Sequence, residues 1–338
     1  MRAAILHAPG DLRIESCDAP RPGPGELLIR VRAATTCGTD LKAWRRGHPQ
    51  IPMPGAFGHE YSGDVIATGD GAPFAVGQPV MGVHSAPCQA CRWCRADQEN
   101  LCESIMATKV LGAYAEQLLI PARIARLNVF PKPDGLDYAV ASLLEPFACV
   151  AQGMLELQRA DAFRPAGDVR ALVIGPGAIG LMFVTALRRH GVASVTLAGR
   201  NPARLEVGAA LGAQTVPYAD LLTAPRPDFD VVIECTGMPE VWEQSVRFPR
   251  RGGTVMLFGG CASGTTVTFD TGRLHYDQIT LLSPFHFGTR AVRLAREWLL
   301  HPDTDLSPLL TRTASLDELP EIFAELNAGI GLKAVIQP

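Results

Sequence analysis

Short apolar runs dominate the first third of the chain. Between residue 1 and about residue 130, runs such as ELLIRVR and YSGDVIAT are separated by RPGPG, MPGAFG and GDGAPFAVGQ. Apolar or alternating runs of this length, bounded by glycine and proline clusters, are typical of strands joined by turns. The pattern therefore predicts that this part of the chain is mostly β.

After about residue 143 the pattern changes to apolar strands that alternate with amphipathic helices. The strand-like runs are ALVIG, SVTLAG, FDVVIEC and GTVMLF, and a helical run follows each of the first three. This alternation predicts a parallel sheet covered on both faces, which is a doubly wound α/β domain. Two later helical runs, TRAVRLAREWLL and LDELPEIFAELNAG, precede the strand-like LKAVIQP, which could return to the β-rich domain.

Length and composition agree with two globular domains. The chain has 338 residues, of which 47% are hydrophobic and 19% are charged, so that each domain can bury a core. The formal net charge of −3 provides no broad basic field for a phosphate backbone, which argues against nucleic acid as a partner.

No targeting or membrane segment stands out. The N-terminal MRAAILHAPGDLRIES has no long apolar stretch and no small-residue cleavage site, so we expect a cytoplasmic protein. The apolar run at residues 171–187 carries no charge, but it is slightly shorter than a membrane-spanning helix and is broken by Gly-Pro-Gly. We therefore expect no membrane partner.

The run VIGPGAIG places three glycines in G-x-G-x-x-G spacing between a strand and a helix. They are Gly175, Gly177 and Gly180, and Ala178 and Ile179 lie between the last two. The first glycine permits a tight turn, the second lets the backbone approach a pyrophosphate, and the third allows close packing of helix and strand. In this context the motif predicts a dinucleotide site, with a ligand-free glycine turn as the alternative.

The end of the second strand, TLAGRNPAR, bears on the choice of nicotinamide cofactor. An acid there would bind the ribose 2′-hydroxyl and repel a 2′-phosphate, but this chain has Gly199, which makes room, followed by Arg200, which can pair with phosphate. NADP is therefore favoured over NAD, unless Arg200 is only a solvated surface charge. Arg204 and Tyr218 are further candidates to frame the adenine or the phosphate.

Two short motifs in the β-rich part suggest a metal site. TTCGTDLK contains Cys37 and Thr39, and FGHEYSG contains His59 and Glu60. A thiolate and an imidazole are good zinc ligands, and a carboxylate can complete a three-ligand site that leaves one position open for a substrate oxygen. Glu145, in LLEPFACV, is a further candidate because an acidic residue inside an apolar run needs a partner.

Nine cysteines without a signal sequence do not indicate a disulfide framework. We expect Cys17, Cys149 and Cys261 to be small buried side chains. Four others follow the pattern C-x2-C-x2-C-x7-C, which differs from ferredoxin spacing, lies outside a βαβ unit and lacks the basic surroundings of a nucleic-acid finger. They are Cys88, Cys91, Cys94 and Cys102. Four thiolates can close a tetrahedral zinc shell that stabilises a loop and performs no chemistry.

The motifs CGTD, GHE, the four-cysteine segment, LLEP and GPGAIG occur in this order along essentially the whole chain. In this combination the sequence resembles the zinc-containing medium-chain dehydrogenase/reductase superfamily, and specifically its alcohol, polyol and threonine dehydrogenase branch. The resemblance implies an α/β protein with a GroES-like catalytic domain in residues 1–146 and 290–338, including a structural zinc lobe at 86–104. It also implies a Rossmann cofactor domain in residues 147–289.

The resemblance implies a role for each matched residue. Cys37 and His59 bind the catalytic zinc, Glu60 and Glu145 are exchangeable third and fourth ligands or hold a water on the zinc, and Thr39 begins the proton relay from the substrate alcohol. Lys333 lies near the cofactor pyrophosphate, and Arg200 and Tyr218 lie at the adenosine phosphate. The segments that lie along the cofactor contain Cys235, Thr236, Gly237, Leu257, Phe258 and Gly259. Relatives form dimers or tetramers, so we expect a homo-oligomer.

Three positions depart from the family pattern and leave the substrate open. Lys42 stands where many relatives have a relay histidine, and its role is left open. His286 and Phe287 replace the Arg-Tyr pair of sorbitol-type enzymes, so a plain sorbitol dehydrogenase is in doubt. Phe285 and Phe287 around His286 suit a less hydroxylated or cyclic substrate, or else belong to an interface core. Trp44 either walls the substrate pocket or is a buried structural residue.

The leading interpretation is a zinc-dependent dehydrogenase that oxidises a secondary alcohol, a polyol or an amino alcohol with NADP, using one catalytic and one structural zinc. The cofactor carries the hydride, and the domain cleft is where substrate and cofactor are expected to meet. An NAD-dependent threonine- or sugar-type dehydrogenase is the alternative enzyme. A non-catalytic zinc and nucleotide sensor is a third hypothesis, which the presence of every expected catalytic residue disfavours.

Overall fold

The computed structural model describes residues 1–163, 168–223 and 228–338. The chain divides into two compact units. Unit 1 comprises Met1–Ala148 and Phe287–Pro338, and unit 2 comprises Cys149–His286. The division lies within three residues of each predicted domain boundary.

The N-terminal part of unit 1 consists mainly of strands. These strands are β1 (Arg2–Ala8), β2 (Asp11–Ser16), β3 (Leu27–Thr35), β4 (Gly55–Ala56), β5 (Glu60–Thr68), β6 (Pro79–Gly82), β7 (Gln117–Ile120) and β8 (Val129–Pro131). The helices of this part are α1 (Gly38–Arg46), α2 (Arg92–Arg95), α3 (Ala122–Asn128), α4 (Tyr138–Ala141) and the 3-10 turn Glu99–Leu101. Helix α5 (Leu144–Arg159) then carries the chain into unit 2.

Unit 2 alternates strands and helices as the sequence pattern predicts. The strands are β9 (Arg170–Ile174), β10 (Ser194–Gly199), β11 (Gln214–Pro217), β12 (Phe229–Glu234), β13 (Pro249–Leu257) and β14 (Thr280–Leu282). The helices are α6 (Ala178–Arg189), α7 (Pro202–Ala210), α8 (Tyr218–Thr223), α9 (Pro239–Ser245) and α10 (Thr271–Tyr276).

The chain returns to unit 1 for its last segment. This segment contains α11 (Thr289–Leu299), β15 (Leu310–Ala314), α12 (Leu319–Asn327), β16 (Lys333–Ile336) and the 3-10 turns Ser307–Leu309 and Leu316–Glu318. Strand β16 pairs antiparallel with β3, where Val335 faces Thr35. The possible return of LKAVIQP to the β-rich part is therefore observed.

Two sheets build unit 1. The larger sheet has the strand order β15-β16-β3-β5-β6-β8, with β7 also paired to β3, and the smaller one has the order β2-β1-β4. Strand β3 is central because its sequence LLIRVRAAT is buried at seven of nine positions. Its partner β5 places Glu60 opposite Thr35, at the end of β3 that leads into α1. This register brings the two predicted metal motifs to the same end of the sheet.

The sheet of unit 2 is parallel throughout its described strands, with the order β11-β10-β9-β12-β13-β14. The order runs outward from β9 in one direction and from β12 in the other, which is the arrangement of a doubly wound fold. Strand β12 is buried along its full length, as expected for a parallel sheet covered on both faces. The predicted doubly wound domain is confirmed.

Two details differ from the sequence predictions. The helical segment Tyr138–Arg159 is long and apolar enough to span a membrane, although the sequence reading singled out only residues 171–187. Its apolar window is 78% buried within the protein, as in a core helix. Cys17 is exposed, and Cys149 and Cys261 are half-buried, so the expectation of three small buried cysteines is wrong for Cys17.

Candidate functional site

The candidate metal centre lies in unit 1, where β3 leads into α1 and β5 begins. Cys37 is the N-cap of α1, and its Sγ accepts a hydrogen bond of 3.4 Å from the backbone N–H of Thr39. His59 and Glu60 stand at the start of β5, which the sheet register holds beside this turn. The ligand atoms of Cys37, His59 and Glu60 all lie within 4.8 Å of one another. A thiolate, an imidazole and a carboxylate at this spacing fit a zinc ion with an open position.

A buried carboxylate that the sequence analysis did not assign orients the imidazole of His59. Asp40 Oδ1 lies 3.1 Å from His59 Nδ1, and the hydroxyl of Tyr114 donates a 2.7 Å hydrogen bond to Asp40 Oδ2. Burial lowers the pKa of His59, but the negative charges of Asp40 and Cys37 outweigh it and hold that pKa well above its usual value. With Nδ1 engaged by Asp40, Nε2 is the nitrogen available to a metal.

Glu60 is held from the opposite side by a buried lysine. Lys333 Nζ lies 2.7 Å from Glu60 Oε2 and donates a 2.5 Å hydrogen bond to the carbonyl of Thr36. The hydroxyl of Thr35 also donates to Glu60. Burial raises the pKa of Glu60 to about 7, although the charge of Lys333 lowers it. The carboxylate is thus fixed in place. A cation bound nearby would lower its pKa and favour the ionised form.

Glu145 pairs with a histidine that the sequence analysis missed. The Nδ1 atom of His84 lies 3.1 Å from Glu145 Oε1, and the His84 ring packs edge-on against His59 with centroids 5.0 Å apart. Glu145 and His84 are 4% and 6% exposed. Because Glu145 raises the pKa of Glu60, the two carboxylates feel each other's charge. Glu145 therefore lies beside the three-residue metal cluster without being part of it.

The four cysteines of the predicted lobe also meet. The Sγ atoms of Cys88, Cys91, Cys94 and Cys102 lie within 4.8 Å of one another. The backbone N–H groups of Ala90 and Cys91 donate to Cys88 and lower the pKa of its thiol to about 6, whereas burial raises the pKa of Cys94 to about 12. All nine cysteines lie in the described ranges, and none forms a disulfide. Four converging thiols with backbone donors fit a closed zinc site.

The glycine motif of unit 2 has the geometry that its sequence predicts. Gly175 has φ of +109°, and a Cβ on Gly180 would lie 2.0 Å from the carbonyl oxygen of Gly175. Gly177 has open space where a Cβ would stand, immediately before Ala178 and Ile179 open α6. The first and third glycines are therefore required by the protein itself. The second leaves its backbone accessible to a ligand.

The residues expected at the adenosine end cluster after β10. A Cβ on Gly199 would lie 2.3 Å from Pro176, so an acid at this position would clash with the glycine motif. The guanidinium of Arg200, which is exposed, lies 5.9 Å from the centre of the Tyr218 ring. Tyr218 in turn donates a 2.6 Å hydrogen bond to Gln244, and burial raises its pKa to about 12. Arg204 lies half-buried in the first turn of α7.

Comparison with known proteins identifies the family. The family described as "Alcohol dehydrogenase GroES-like domain" matches residues 23–134, and "Zinc-binding dehydrogenase" matches residues 178–300. L-threonine 3-dehydrogenase from Chromobacterium violaceum is 30% identical over 99% of this chain and 98% of its own length. D-altritol 5-dehydrogenase from Agrobacterium fabrum is 33% identical over 89% of each chain. The chain belongs to the zinc-containing medium-chain dehydrogenase/reductase family.

A solved structure agrees with this membership. The crystal structure of a zinc-binding dehydrogenase from Sinorhizobium meliloti 1021, bound to NADP, is 28% identical and superposes with a TM-score of 0.85 over 100% of this chain and 99% of that one. The predicted GroES-like and Rossmann fold class is confirmed. The protein is a zinc-dependent dehydrogenase, an oxidoreductase that uses a nicotinamide cofactor and a small-molecule substrate.

Two residues with predicted roles, Lys333 and Trp44, have neighbours other than those expected from the sequence. Lys333 was expected near the cofactor pyrophosphate, but the structure places its ammonium against Glu60 and Thr36 inside unit 1, 2% exposed. A role at the pyrophosphate stays a prediction. Trp44 stacks on Phe323 with ring centroids 6.2 Å apart, in contact with the core of unit 1. This packing favours the structural role over a pocket wall.

The aromatic segment of the dehydrogenase is split between the two units. Phe287 is fully buried in unit 1, where its ring meets His84 edge-on with centroids 5.8 Å apart. Phe285, in unit 2, is 51% exposed, and His286 adopts φ of +58° beside it. Phe287 therefore packs behind the metal centre through His84. The substrate-pocket predictions for Phe285 and His286 stay predictions, and no role is assigned to the half-buried Lys42.

The cofactor segments CTG and LFG meet through a residue that the sequence analysis missed. Glu234, at the end of β12, accepts a backbone hydrogen bond of 2.6 Å from Thr236, and its main-chain oxygen accepts from Phe258 and Gly259. Cys235 donates to the carbonyl of Ile174 in β9. Gly237, with φ of +66°, also donates to Glu234. An acid that directly follows the apolar run VVI was the signal available in FDVVIEC.

Proposed function

We propose that this dehydrogenase interconverts a secondary alcohol, a polyol or an amino alcohol and the corresponding ketone, with hydride transfer to and from NADP(H). The cluster of Cys37, His59 and Glu60 is the observation that carries the proposal. The substrate class is supported by relatives named for L-threonine, an amino alcohol, and for D-altritol, a polyol. The cofactor is supported by Gly199, by Arg200 and by the NADP in the Sinorhizobium structure.

We assign the catalytic zinc to Cys37, His59 and Glu60, with Glu145 as an exchangeable ligand, and a structural zinc to the four-cysteine lobe. When bound at the first site, the metal supplies Lewis-acid chemistry that lowers the pKa of the substrate hydroxyl. Asp40 holds the imidazole of His59 in one orientation and one tautomer. Lys333 offsets the buried charge of Glu60, which keeps the two carboxylates from accumulating unpaired charge.

Thr39 is the first group of the proposed proton relay. Its half-buried side chain stands in the first turn of α1, two residues after Cys37, and its backbone N–H donates to Cys37 Sγ. A hydroxyl is both a donor and an acceptor, so it can take the substrate proton while passing its own outward. A bound nicotinamide cofactor would accept the hydride, with its electron pair, from the carbinol carbon, and the glycine motif of unit 2 would hold the pyrophosphate of that cofactor.

The assembly proposed for this chain is a homodimer or a homotetramer, as the family resemblance implies. NAD-dependent activity with Arg200 incidental is the alternative enzyme. A sensor without turnover is the non-catalytic alternative. Steady-state assays of absorbance at the reduced-cofactor band, over a panel of alcohols and ketones that includes L-threonine and D-altritol, separate these alternatives.

Replacement of the thiolate tests the catalytic assignment. Cys37→Ser should lower kcat/KM by at least about 10³-fold and remove one of two zinc ions per chain, because a serine hydroxyl is a poor zinc ligand. Far-UV circular dichroism should be unchanged, and metal content is read by atomic emission. The exposed Cys17→Ser is the matched control and should retain both activity and zinc. Retained activity in Cys37→Ser contradicts the assignment.

A further inference from the structure

Glu234 is a buried carboxylate in the cofactor unit. It is the last residue of β12 and 0% exposed. Its Oε1 accepts hydrogen bonds from the backbone N–H of Thr236 at 2.6 Å, from the hydroxyl of Thr236, and from the backbone N–H of Gly237 at 3.1 Å. Burial raises the pKa of Glu234, and the hydrogen bonds from Thr236 and Gly237 oppose this rise. Three donors that converge on one oxygen favour the ionised carboxylate, since a protonated carboxyl would have to donate a hydrogen bond itself.

This charge has no cationic partner within the described part of unit 2. No lysine, arginine or histidine there lies within ion-pair distance of Glu234, whose side chain interacts with the neutral donors of Thr236, Gly237 and Trp242. A buried ion compensated only by dipoles is costly, and a neutral glutamine could accept the same N–H donors with its carbonyl oxygen. A carboxylate that is buried without a cationic partner therefore indicates a function that uses its charge.

The position of Glu234 relates it to the nicotinamide half of the cofactor. It ends β12, next to β9, where the strand order of the sheet reverses and where doubly wound folds bind dinucleotides. The turn that it holds reaches the glycine motif, because a Cβ on Gly175 would lie 2.9 Å from Cγ2 of Thr236. Since the half of the sheet that begins with β9 binds the adenosine side, the half that begins with β12 faces the nicotinamide side.

Glu234 also supports the neighbouring segment from β13. A Cβ on Gly259 would lie 2.8 Å from Glu234 Oε2, so the carboxylate and this backbone are in direct contact. Trp242 Nε1 donates a 2.9 Å hydrogen bond to the carbonyl of Gly259. Glu234 thereby holds both segments that the family resemblance places along the cofactor, the first through its carboxylate and the second through its main-chain oxygen.

We propose that Glu234 is a positioning residue that presents a fixed negative charge to the nicotinamide side of the site and favours the oxidised, cationic ring over the reduced, neutral ring. The inference rests on the dehydrogenase function proposed above. In alcohol oxidation, the C–H bond at the carbinol carbon breaks, its electron pair leaves with the hydride for the nicotinamide, and the hydroxyl proton leaves through the protein. The ring loses its positive charge, so a fixed anion acts on one redox state and not on the other.

The test compares dissociation constants for NADP+ and NADPH by calorimetric titration. In Glu234→Gln, binding of NADP+ should weaken relative to NADPH by about tenfold, because loss of the anion acts on the cationic ring and leaves the neutral ring unaffected. Glu240→Gln is the matched control, because it removes an exposed carboxylate at the start of α9 in the same unit. Its ratio of the two constants should stay at the wild-type value.

The outcomes separate charge from structure. An equal loss of affinity for both nucleotides in Glu234→Gln, or an unchanged ratio, overturns the proposal. Glu234→Asp keeps the charge, so the ratio of the two dissociation constants should stay at the wild-type value even if both affinities fall. A changed ratio in this variant also overturns the proposal. The variant provides a test if Glu234→Gln does not fold. Wild-type protein that binds neither nucleotide contradicts the proposed function instead. If the wild-type protein prefers NAD, the same dissociation constants are measured for NAD+ and NADH, and the same two outcomes overturn the proposal.

Discussion

At the residue scale, three side chains in and beside the candidate metal centre are each held by a second one. Asp40 engages His59, Lys333 engages Glu60, and His84 engages Glu145. These partners are buried, so the charges of Asp40 and Lys333 act at a lower effective dielectric constant than surface charges do, whereas burial lowers the pKa of His84 well below its usual value. His59 and Glu60 were predicted from GHE and Glu145 from LLEP, whereas Asp40 and His84 were not assigned and Lys333 was expected in another role. Motif chemistry identifies ligands, but it does not identify the residues that orient them.

The cofactor choice is also decided by single residues. Arg200→Ala should raise KM for NADP+ by about tenfold and leave KM for NAD+ within about twofold, because the guanidinium contributes only where a 2′-phosphate is present. Initial rates with both cofactors measure this difference. Arg247→Ala is the control, since Arg247 is exposed and its charge also reaches Tyr218. A wild-type preference for NAD of tenfold or more rules out the NADP assignment.

At the element scale, the pairing of β3 with β5 forms the metal centre. Its register sets Thr35 opposite Glu60, and α1 begins three residues later, at Gly38. Strand β16 adds Lys333 from the far end of the chain to the other edge of β3. Three elements from distant parts of the sequence thus supply one centre. The position of Lys333 follows from this sheet and not from any local motif.

The cysteine lobe is an element whose stability is expected to depend on metal. Cys94→Ser should remove one zinc per chain and lower Tm by at least about 5 °C, because ligand binding energy is folding energy in such a lobe. kcat per remaining folded molecule should stay close to wild type. Arg95→Gln, an exposed neighbour, serves as the control. Loss of turnover with an ordered lobe and an unchanged Tm is the result that would argue against a structural role.

At the scale of the whole molecule, stability against acid should depend on ion pairs such as that of Asp64. Asp64 Oδ2 accepts from Arg32 Nε at 2.6 Å, and Oδ1 accepts from the hydroxyl of Tyr138, which joins β5 to β3 and α4. Burial opposes ionisation, but these hydrogen bonds outweigh it, so the pKa of Asp64 is lowered from its usual 3.8. The stabilisation is therefore present above that value and is lost as pH falls through the lowered pKa.

Asp64→Asn should accordingly reduce the free energy of unfolding by about 1 kcal/mol near pH 6, and the difference from wild type should vanish as the pH falls below about 3. Denaturant titrations across this pH range measure the difference. Asp70→Asn removes an exposed carboxylate that shares no side-chain partner with Asp64 and should show no such dependence. A difference between Asp64→Asn and wild type that grows towards low pH contradicts the expected sign.

The sequence by itself determined the fold class, the doubly wound unit and the glycine turn, and it named Cys37, His59, Glu60 and the four cysteines as candidate metal ligands, which the structure brings together in two clusters. Local patterns suffice for these features, because strand alternation, Gly180 against the Gly175 carbonyl and C-x2-C spacing are properties of neighbouring residues. Only the tertiary structure decided the places of Lys333 and Glu234. Each lies beside groups that are far away in sequence or on another strand, and a buried charge takes its role from what surrounds it.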